Sequence, residues 1–293
     1  MKNIGIIGQG FVGTAIFENL KSFFNIYTFD KEKGAKDYND GEITHNESSG
    51  IIRVVEKVDG PIFVCVPTPM NADGSCNIEI VEGVISEISK SAESLNKQGV
   101  VAIIKSTVIP GTTLYLNHKY KNIHIVFNPE FLTERMSVED FKNQSHIIIG
   151  GPHEGTSVVK QMYEMAFSNT PVTKTSSTIA EMVKYTTNCF LATKVSFANE
   201  MSQLCEKLEI DYDKVIEYST KDKRLGTSHW AVPGPDGKKG FSGSCFPKDI
   251  NAILKLSEAL GVKASTMQGA WETNLEVRPD RDWEQLKGRA VTE

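Results

Sequence analysis

Short apolar runs set apart by helix-length polar intervals dominate the first 170 residues. Residues 4–7, 25–29, 62–66, 100–104, 123–127 and 146–149 are four- or five-residue segments rich in Ile, Val and Phe. That length and composition suit strands buried on both faces. The alternation with helical intervals predicts an α/β fold with a mainly parallel, doubly wound sheet. Beyond it the pattern changes. From residue 178 to about 218 no Gly or Pro interrupts apolar positions recurring at helical spacing, which predicts long helices and a second, all-helical domain. A stretch rich in Gly, Pro and Lys at 221–244 reads as loop, and a further helical stretch follows over 249–275. The charged residues 278–293 read as a tail or a short helix. The division expected is therefore 1–175, 176–277 and 278–293.

Composition narrows the function classes. The chain has 293 residues, 40% apolar and 24% charged, which suits an ordinary globular protein of two domains. A formal charge of -5 gives no support for nucleic-acid or membrane-surface binding. Five cysteines, at 65, 76, 189, 205 and 245, are scattered and lack the close pairing of metal ligands, so a reducing cytoplasm and no metal site are expected. The opening apolar run is too short for a signal peptide, and no run of about 18 apolar residues suggests a membrane span.

The first candidate site is GQGFVG at 8–13. After a strand, Gly8 permits a tight turn, Gly10 lets the backbone approach a pyrophosphate and Gly13 allows close helix packing. Asp30, at the end of the next strand, is placed to accept hydrogen bonds from both ribose hydroxyls and to repel the extra phosphate of NADP, so NAD is expected. Lys31 and Lys33 either soften that repulsion or are solvated loop charges. CVPTP at 65–69 sets Thr68 at the carboxyl edge of the sheet, or is a plain strand exit.

The second centres on Cys245 in GFSGSCFPKD, 240–249, a glycine-rich loop ahead of a helix start. Backbone N–H groups and a helix N-terminus stabilise a thiolate, and small neighbours admit a carbonyl substrate. Three pairs have the four-residue spacing of a shared helix face: Lys184 with Asn188, Glu130 with Glu134, and Cys245 with Asp249. The first offers a cation and an amide to an oxyanion, the second two carboxylates for proton handling, and the third an acid beside the thiol. Each also reads as a solvated helix face or a dipole-compatible acid.

Taken in order, GQGFVG (8–13), VPTP (66–69), KSTVIPGTT (105–113), NPEFLTE (128–134), EMVKYTTN (181–188) and GFSGSCFPKD resemble the UDP-glucose/GDP-mannose dehydrogenase family over about 275 residues. The resemblance implies a Rossmann-like NAD-binding domain followed by an all-helical dimerisation and substrate domain. It implies NAD-dependent oxidation of a nucleotide sugar, UDP-glucose to UDP-glucuronate, through two hydride transfers and a thiohemiacetal and thioester on Cys245. By the same resemblance Lys184 and Asn188 stabilise oxyanions, Thr107 and Asp249 position water, and Glu130 is the acid-base residue. Gly8, Gly10, Phe11, Val12, Gly13, Asp30, Lys33, Thr68, Thr107, Glu134 and Lys248 fall at cofactor positions. Glu130, Phe131, Leu132, Glu134, Lys184, Asn188, Arg224, Gly243 and Cys245 fall at substrate positions. A homodimer through the central helices is implied.

The chain departs from the family pattern at Ser242 and Arg135, where glycines are usual, and in a lengthened approach at Lys238 and Lys239. Full-length relatives carry a second Rossmann-like domain covering the sugar nucleotide, whereas this chain stops at Glu293. Either a separate partner chain supplies it, or this is a compact or shortened form. The alternatives are oxidation of GDP-mannose or a UDP-N-acetylhexosamine, a single-step β-hydroxyacid dehydrogenase, and a noncatalytic NAD-binding assembly module.

Overall fold

The computed structural model describes residues 1–46 and 50–293. They form two compact units: Met1–Thr68 with Ile78–Lys184, and Pro69–Asn77 with Tyr185–Glu293.

In the first unit, β1 (Asn3–Ile7) passes through the glycine turn into α1 (Phe11–Leu20) and returns as β2 (Asn25–Phe29). A hairpin of β3 (Ala35–Asn39) and β4 (Glu42–Asn46) follows, antiparallel to its neighbours. Helices and strands then alternate: α2 (Ile51–Lys57), β5 (Ile62–Val64), α3 (Glu79–Ser94), β6 (Val101–Ile104), α4 (Thr112–Lys119), β7 (His124–Phe127), α5 (Ser137–Lys142), β8 (Ile147–Gly150), α6 (His153–Ala166) and β9 (Val172–Thr175). The sheet runs β4-β3-β2-β1-β5-β6-β7-β8-β9. Its direction of growth reverses at β1, so the carboxyl ends of β1 and β5 flank the crevice where open α/β sheets bind ligands.

Strand alternation fills both faces. Ile4 and Ile6 join Phe63, Val101 and Ile103 under α1, α5 and α6, while Ile7, Ile62, Val64, Ala102 and Ile104 face α2 and α3. Each fully buried Ile or Val contributes about 1.5–3 kcal/mol of apolar transfer, so an acid at Ile6 would disrupt the layer under α1. The sheet is mainly parallel, with antiparallel pairings at β2–β3, β3–β4 and β7–β8. Strands β3, β4 and β9 have no counterpart among the apolar runs. β4 and β9 read EITHN and VTKT because they are the outermost strands, where solvent accepts polar side chains, whereas β3, reading AKDYN, lies one strand in and buries Ala35 and Asp37.

α7 (Ser177–Lys207) begins in the first unit and continues in the second. The second unit adds α8 (Tyr212–Ser219), α9 (Phe246–Ala259) and α10 (Ser265–Val277). The one helical stretch expected over 249–275 is thus two helices. Gly261 adopts a φ of 69°, and the Val262 N–H closes on the Ser257 carbonyl at 2.8 Å, ending α9 in a left-handed cap. Residues 278–293, expected as a tail or short helix, include a 3-10 turn at Asp282–Gln285 and bury Trp283 and Arg278. Trp283 packs at a tilt against Trp271, ring centroids 5.4 Å apart, and Thr292 pairs with Met70. A count of charges hides one aromatic anchor. No described helix is long and apolar enough to cross a membrane.

Candidate active site

The glycine turn is built by close approach. Gly8 has a φ of 89°, and a Cβ there would lie 2.5 Å from the Cys65 carbonyl oxygen; a Cβ on Gly13 would lie 2.0 Å from that of Gly8. A Cβ on Gly10 would meet nothing within 4 Å, so open space lies over the backbone where α1 begins. Gly10 caps α1 without a side-chain bond, which leaves first-turn N–H groups available to an anion. Phe11 and Val12 form that first turn, and Val12 packs on the core below. Buried Thr68 follows β5 at the same edge of the sheet.

Asp30 braces this turn. Its Oδ2 accepts the Gln9 N–H at 2.6 Å, and its Oδ1 accepts those of Glu32 and Lys33 at 3.0 Å. Burial acts to raise its pKa, but these three N–H bonds and the Lys33 charge outweigh it and hold the carboxyl below its ordinary value. Lys33 donates to the Gln9 carbonyl at 2.7 Å, so this cation is drawn back onto the turn. The open backbone at Gly10, the uncapped helix and the ionised acid suit a dinucleotide.

The sequence patterns overlooked the bonds behind this turn. The Gln9 side chain donates to Thr28 Oγ1 at 2.6 Å, and the Thr28 backbone N–H donates to buried Asp37, which also pairs with Arg53. Arg53 donates further to the Thr28 carbonyl at 2.9 Å. Asp37 lies in the polar strand β3, one in from the sheet's edge, where nothing in the sequence distinguishes it from a solvated acid.

A second cluster in the first unit joins Glu130 to Lys184. Lys184 donates to Glu130 Oε1 and to its carbonyl oxygen, and Glu130 Oε2 accepts the Leu132 N–H at 2.8 Å. Burial acts to raise the Glu130 pKa, but the Lys184 charge and hydrogen bond, the Leu132 N–H and the Lys105 charge bring it below the usual range. The half-exposed Phe131 ring lies 5.8 Å from the Lys184 ammonium. Thr107 is buried after β6.

Lys105, in a quoted motif but without an assigned role, is also buried. It donates to Asn128 Oδ1 at 2.9 Å, and the Tyr163 hydroxyl donates to the same oxygen at 2.6 Å. Burial brings its pKa down to about 8 despite the nearby Glu130. A lysine directly after the apolar run 100–104 was the available signal.

Glu130 and Glu134 do not share a helix face, contrary to their spacing. Residues 128–133 are non-helical, and Glu134 opens an exposed 3-10 turn. Pro129 disfavours helical backbone at Asn128, and Glu130 is turned inward to Lys184.

In the second unit, Cys245 occupies the N-cap position of α9, and its carbonyl accepts the Asp249 N–H at 2.9 Å. Asp249 is buried, accepting the Asn188 amide at 2.6 Å and pairing with the neighbouring Lys248. Burial acts to lower the Lys248 pKa, yet Asp249, Cys245 and Cys76 outweigh it and drive it upward. Gly243 turns the chain two residues before the cysteine, with a φ of 78°. Arg224 lies in the loop after α8, its guanidinium on Asp222 and largely in solvent. All five cysteines are thiols.

Two models of one family match the chain: the NAD binding domain of the UDP-glucose/GDP-mannose dehydrogenase family at residues 48–167, and its central domain at 178–276. UDP-glucose 6-dehydrogenase AglM of Haloferax volcanii is 29% identical over 98% of this chain and 72% of its own length. UDP-glucose 6-dehydrogenase YwqF of Bacillus subtilis is 36% identical over 67% of this chain and 44% of its own length. The chain therefore spans only part of these curated relatives. Among solved structures, a UDP-glucose dehydrogenase from Pyrobaculum islandicum superposes with a TM-score of 0.82 at 26% identity, covering 94% of this chain and 68% of that one.

Proposed function

The chain belongs to the UDP-glucose/GDP-mannose dehydrogenase family, and from that we propose that it oxidises the primary alcohol of UDP-glucose to the carboxylate of UDP-glucuronate. NAD supplies the hydride acceptor for both oxidations. The observation that carries this reading is Cys245 at the start of α9 with the Lys248 ammonium within electrostatic reach. A cation and a helix N-terminus beside a thiol favour the nucleophilic thiolate.

The residues take these parts. Lys184, with Glu130 beside it, assists loss of the alcohol proton and opposes oxyanion charge. The Cys245 thiolate adds to the C6 aldehyde, forming a C–S bond and a thiohemiacetal; loss of hydride and the hydroxyl proton leaves a thioester. Asn188 donates to the oxyanion. Asp249 and Thr107 orient water, and Glu130 takes its proton as the C–S bond breaks, releasing the carboxylate and the Cys245 thiol. Gly8, Gly10, Gly13 and Asp30 hold the dinucleotide, with Phe11, Val12, Lys33, Thr68, Glu134 and Lys248 also at its positions. Phe131, Leu132, Gly243 and Arg224 contact the sugar nucleotide, the last as a guanidinium suited to pyrophosphate.

The reaction is assigned to the cytoplasm, where the five thiols stay reduced. A homodimer is supported by Phe190, Phe197 and Leu204, seven residues apart on one face of α7 and each at least half exposed.

The purified chain should form two NADH for each UDP-glucuronate, as a four-electron oxidation requires. GDP-mannose and UDP-N-acetylglucosamine, assayed in parallel, decide the sugar. Cys245→Ser should bind NAD and make no carboxylate; carboxylate formed at the normal rate would refute the covalent route.

A further inference from the structure

The loop before Cys245 is tied down from the residues after α10. Arg278 is 3% exposed, and its guanidinium donates to Asp236 at 2.6 Å, to both oxygens of Asp282 at 2.7 and 2.9 Å, and to the Lys239 carbonyl at 3.2 Å. Asp282 also accepts the Ser242 hydroxyl and the Lys238 ammonium. One turn before Arg278, buried Asn274 accepts the Phe241 N–H at 2.7 Å and donates back to the Phe241 carbonyl at 3.0 Å. The Phe241 ring then lies between Trp271 and Phe246, the residue after the cysteine. Five consecutive or near-consecutive loop positions are thus anchored, the last of them three residues from the thiol.

Ser242 is the informative member, because a glycine, the usual residue at its position, has no hydroxyl to donate. Its two glycine neighbours in this loop, Gly240 and Gly243, have φ values of 72° and 78°, a region that leaves the backbone permissive unless something else holds it. Arg278 makes a planar fork of bonds that a lysine cannot reproduce.

We propose that Arg278 and Asp282 are positioning residues for Cys245, acting through Ser242 and the Lys239 carbonyl to hold the thiol in one orientation at the start of α9. The proposal rests on the reading of Cys245 as the nucleophile. It fits the electrostatics of the clasp: the hydrogen bonds from Arg278, with those of Ser242 and Lys238, keep the Asp282 carboxyl well below its ordinary range against the opposing effect of burial. The clasp therefore stays charged across the working pH range of an enzyme.

The test uses the full chain with Ser242→Ala, Ser242→Thr and Arg278→Lys. Carbamidomethylation of each cysteine by iodoacetamide is followed by peptide mass spectrometry, alongside kcat, KM and the thermal midpoint. Ser242→Ala and Arg278→Lys should change the Cys245 labelling rate at least about threefold and lower kcat about tenfold, with KM for NAD unmoved, since small misplacements of a reacting group act on the chemical step. Ser242→Thr, which keeps the hydroxyl, should restore both. A natively folded Ser242→Ala whose Cys245 labelling and kcat stay within about twofold of the parent overturns the proposal. Absence of turnover in the parent chain with every sugar nucleotide would instead sink the proposed function, and labelling alone would then decide the clasp.

Discussion

Lys184 reaches two oxygens of a single residue, the carboxylate Oε1 and the backbone carbonyl of Glu130, both at 2.7 Å. Both side chains are buried, so neither charge has water to fall back on. Replacing Glu130 by Gln leaves an uncompensated ammonium, and urea unfolding should show a loss of about 3–5 kcal/mol. The double variant with Lys184→Met should recover much of it. The folded Glu130 carboxyl ionises below its ordinary 4.5, so its stabilisation is complete above that value and lost as pH falls through the lower one. The acid limb of stability should accordingly be shallower in Glu130→Gln; identical limbs would contradict the ion pair.

Lys105 works in the opposite sense. Burial depresses its pKa from 10.5 to about 8, so between those values the unfolded chain binds more protons and stability rises with pH. Below about pH 8 the folded protein carries the unfavourable buried charge. Lys105→Met should remove that rising contribution, which is visible as the difference between the two stability curves. Parallel curves over the window would mean that the amine is solvated.

Asp249 holds both Asn188 and Lys248. Asp249→Asn keeps its shape but removes the charge opposing Lys248 and unsettles the Asn188 amide. A loss in kcat of about a hundredfold or more, with NAD affinity within about threefold, is expected if these groups act on developing charge. Equal losses in both would assign Asp249 to folding.

Asp30 shapes the glycine turn as well as facing its mouth. Asp30→Ala frees the Gln9 N–H and removes the repulsion of a 2′-phosphate, so NAD affinity should fall about tenfold while preference over NADP narrows. Calorimetry with both dinucleotides checks it; an unchanged ratio would move discrimination elsewhere.

Leu204 lies in the exposed stripe of α7, and Leu204→Glu should halve the sedimenting mass if that stripe joins two copies. Sedimentation of the parent as a monomer would remove the premise.

The buried framework was legible in the sequence where burial is two-sided. Six strands from β1 to β8 announce themselves as apolar runs, whereas β4 and β9 carry the polar composition that sheet edges tolerate, and β3 beside β4 is polar although it buries Ala35 and Asp37. The spacing of Lys184 with Asn188, and of Cys245 with Asp249, reads correctly as helical register because α7 and α9 are helices there. The same spacing misleads at Glu130 and Glu134, since Pro129 precedes a segment with no helix. The roles of Lys105 and of the Arg278 clasp were not legible for another reason: Asn128, Asp236 and the Lys239 carbonyl are distant in sequence from the cations they meet, and a charge that is buried looks in a sequence like one that is not.

Neither compact unit is one continuous stretch of the chain. Pro69–Asn77 leaves the ribosome long before the rest of the second unit, while the first unit awaits the opening turns of α7. There Glu181 accepts the Gly111 and Thr113 N–H groups at 2.6 and 2.8 Å, and Lys184 meets Glu130. A fragment ending at residue 175 would lack those closing contacts, and the remainder would lack Pro69–Asn77. A single cut at that point therefore yields two pieces, each lacking residues of its own unit.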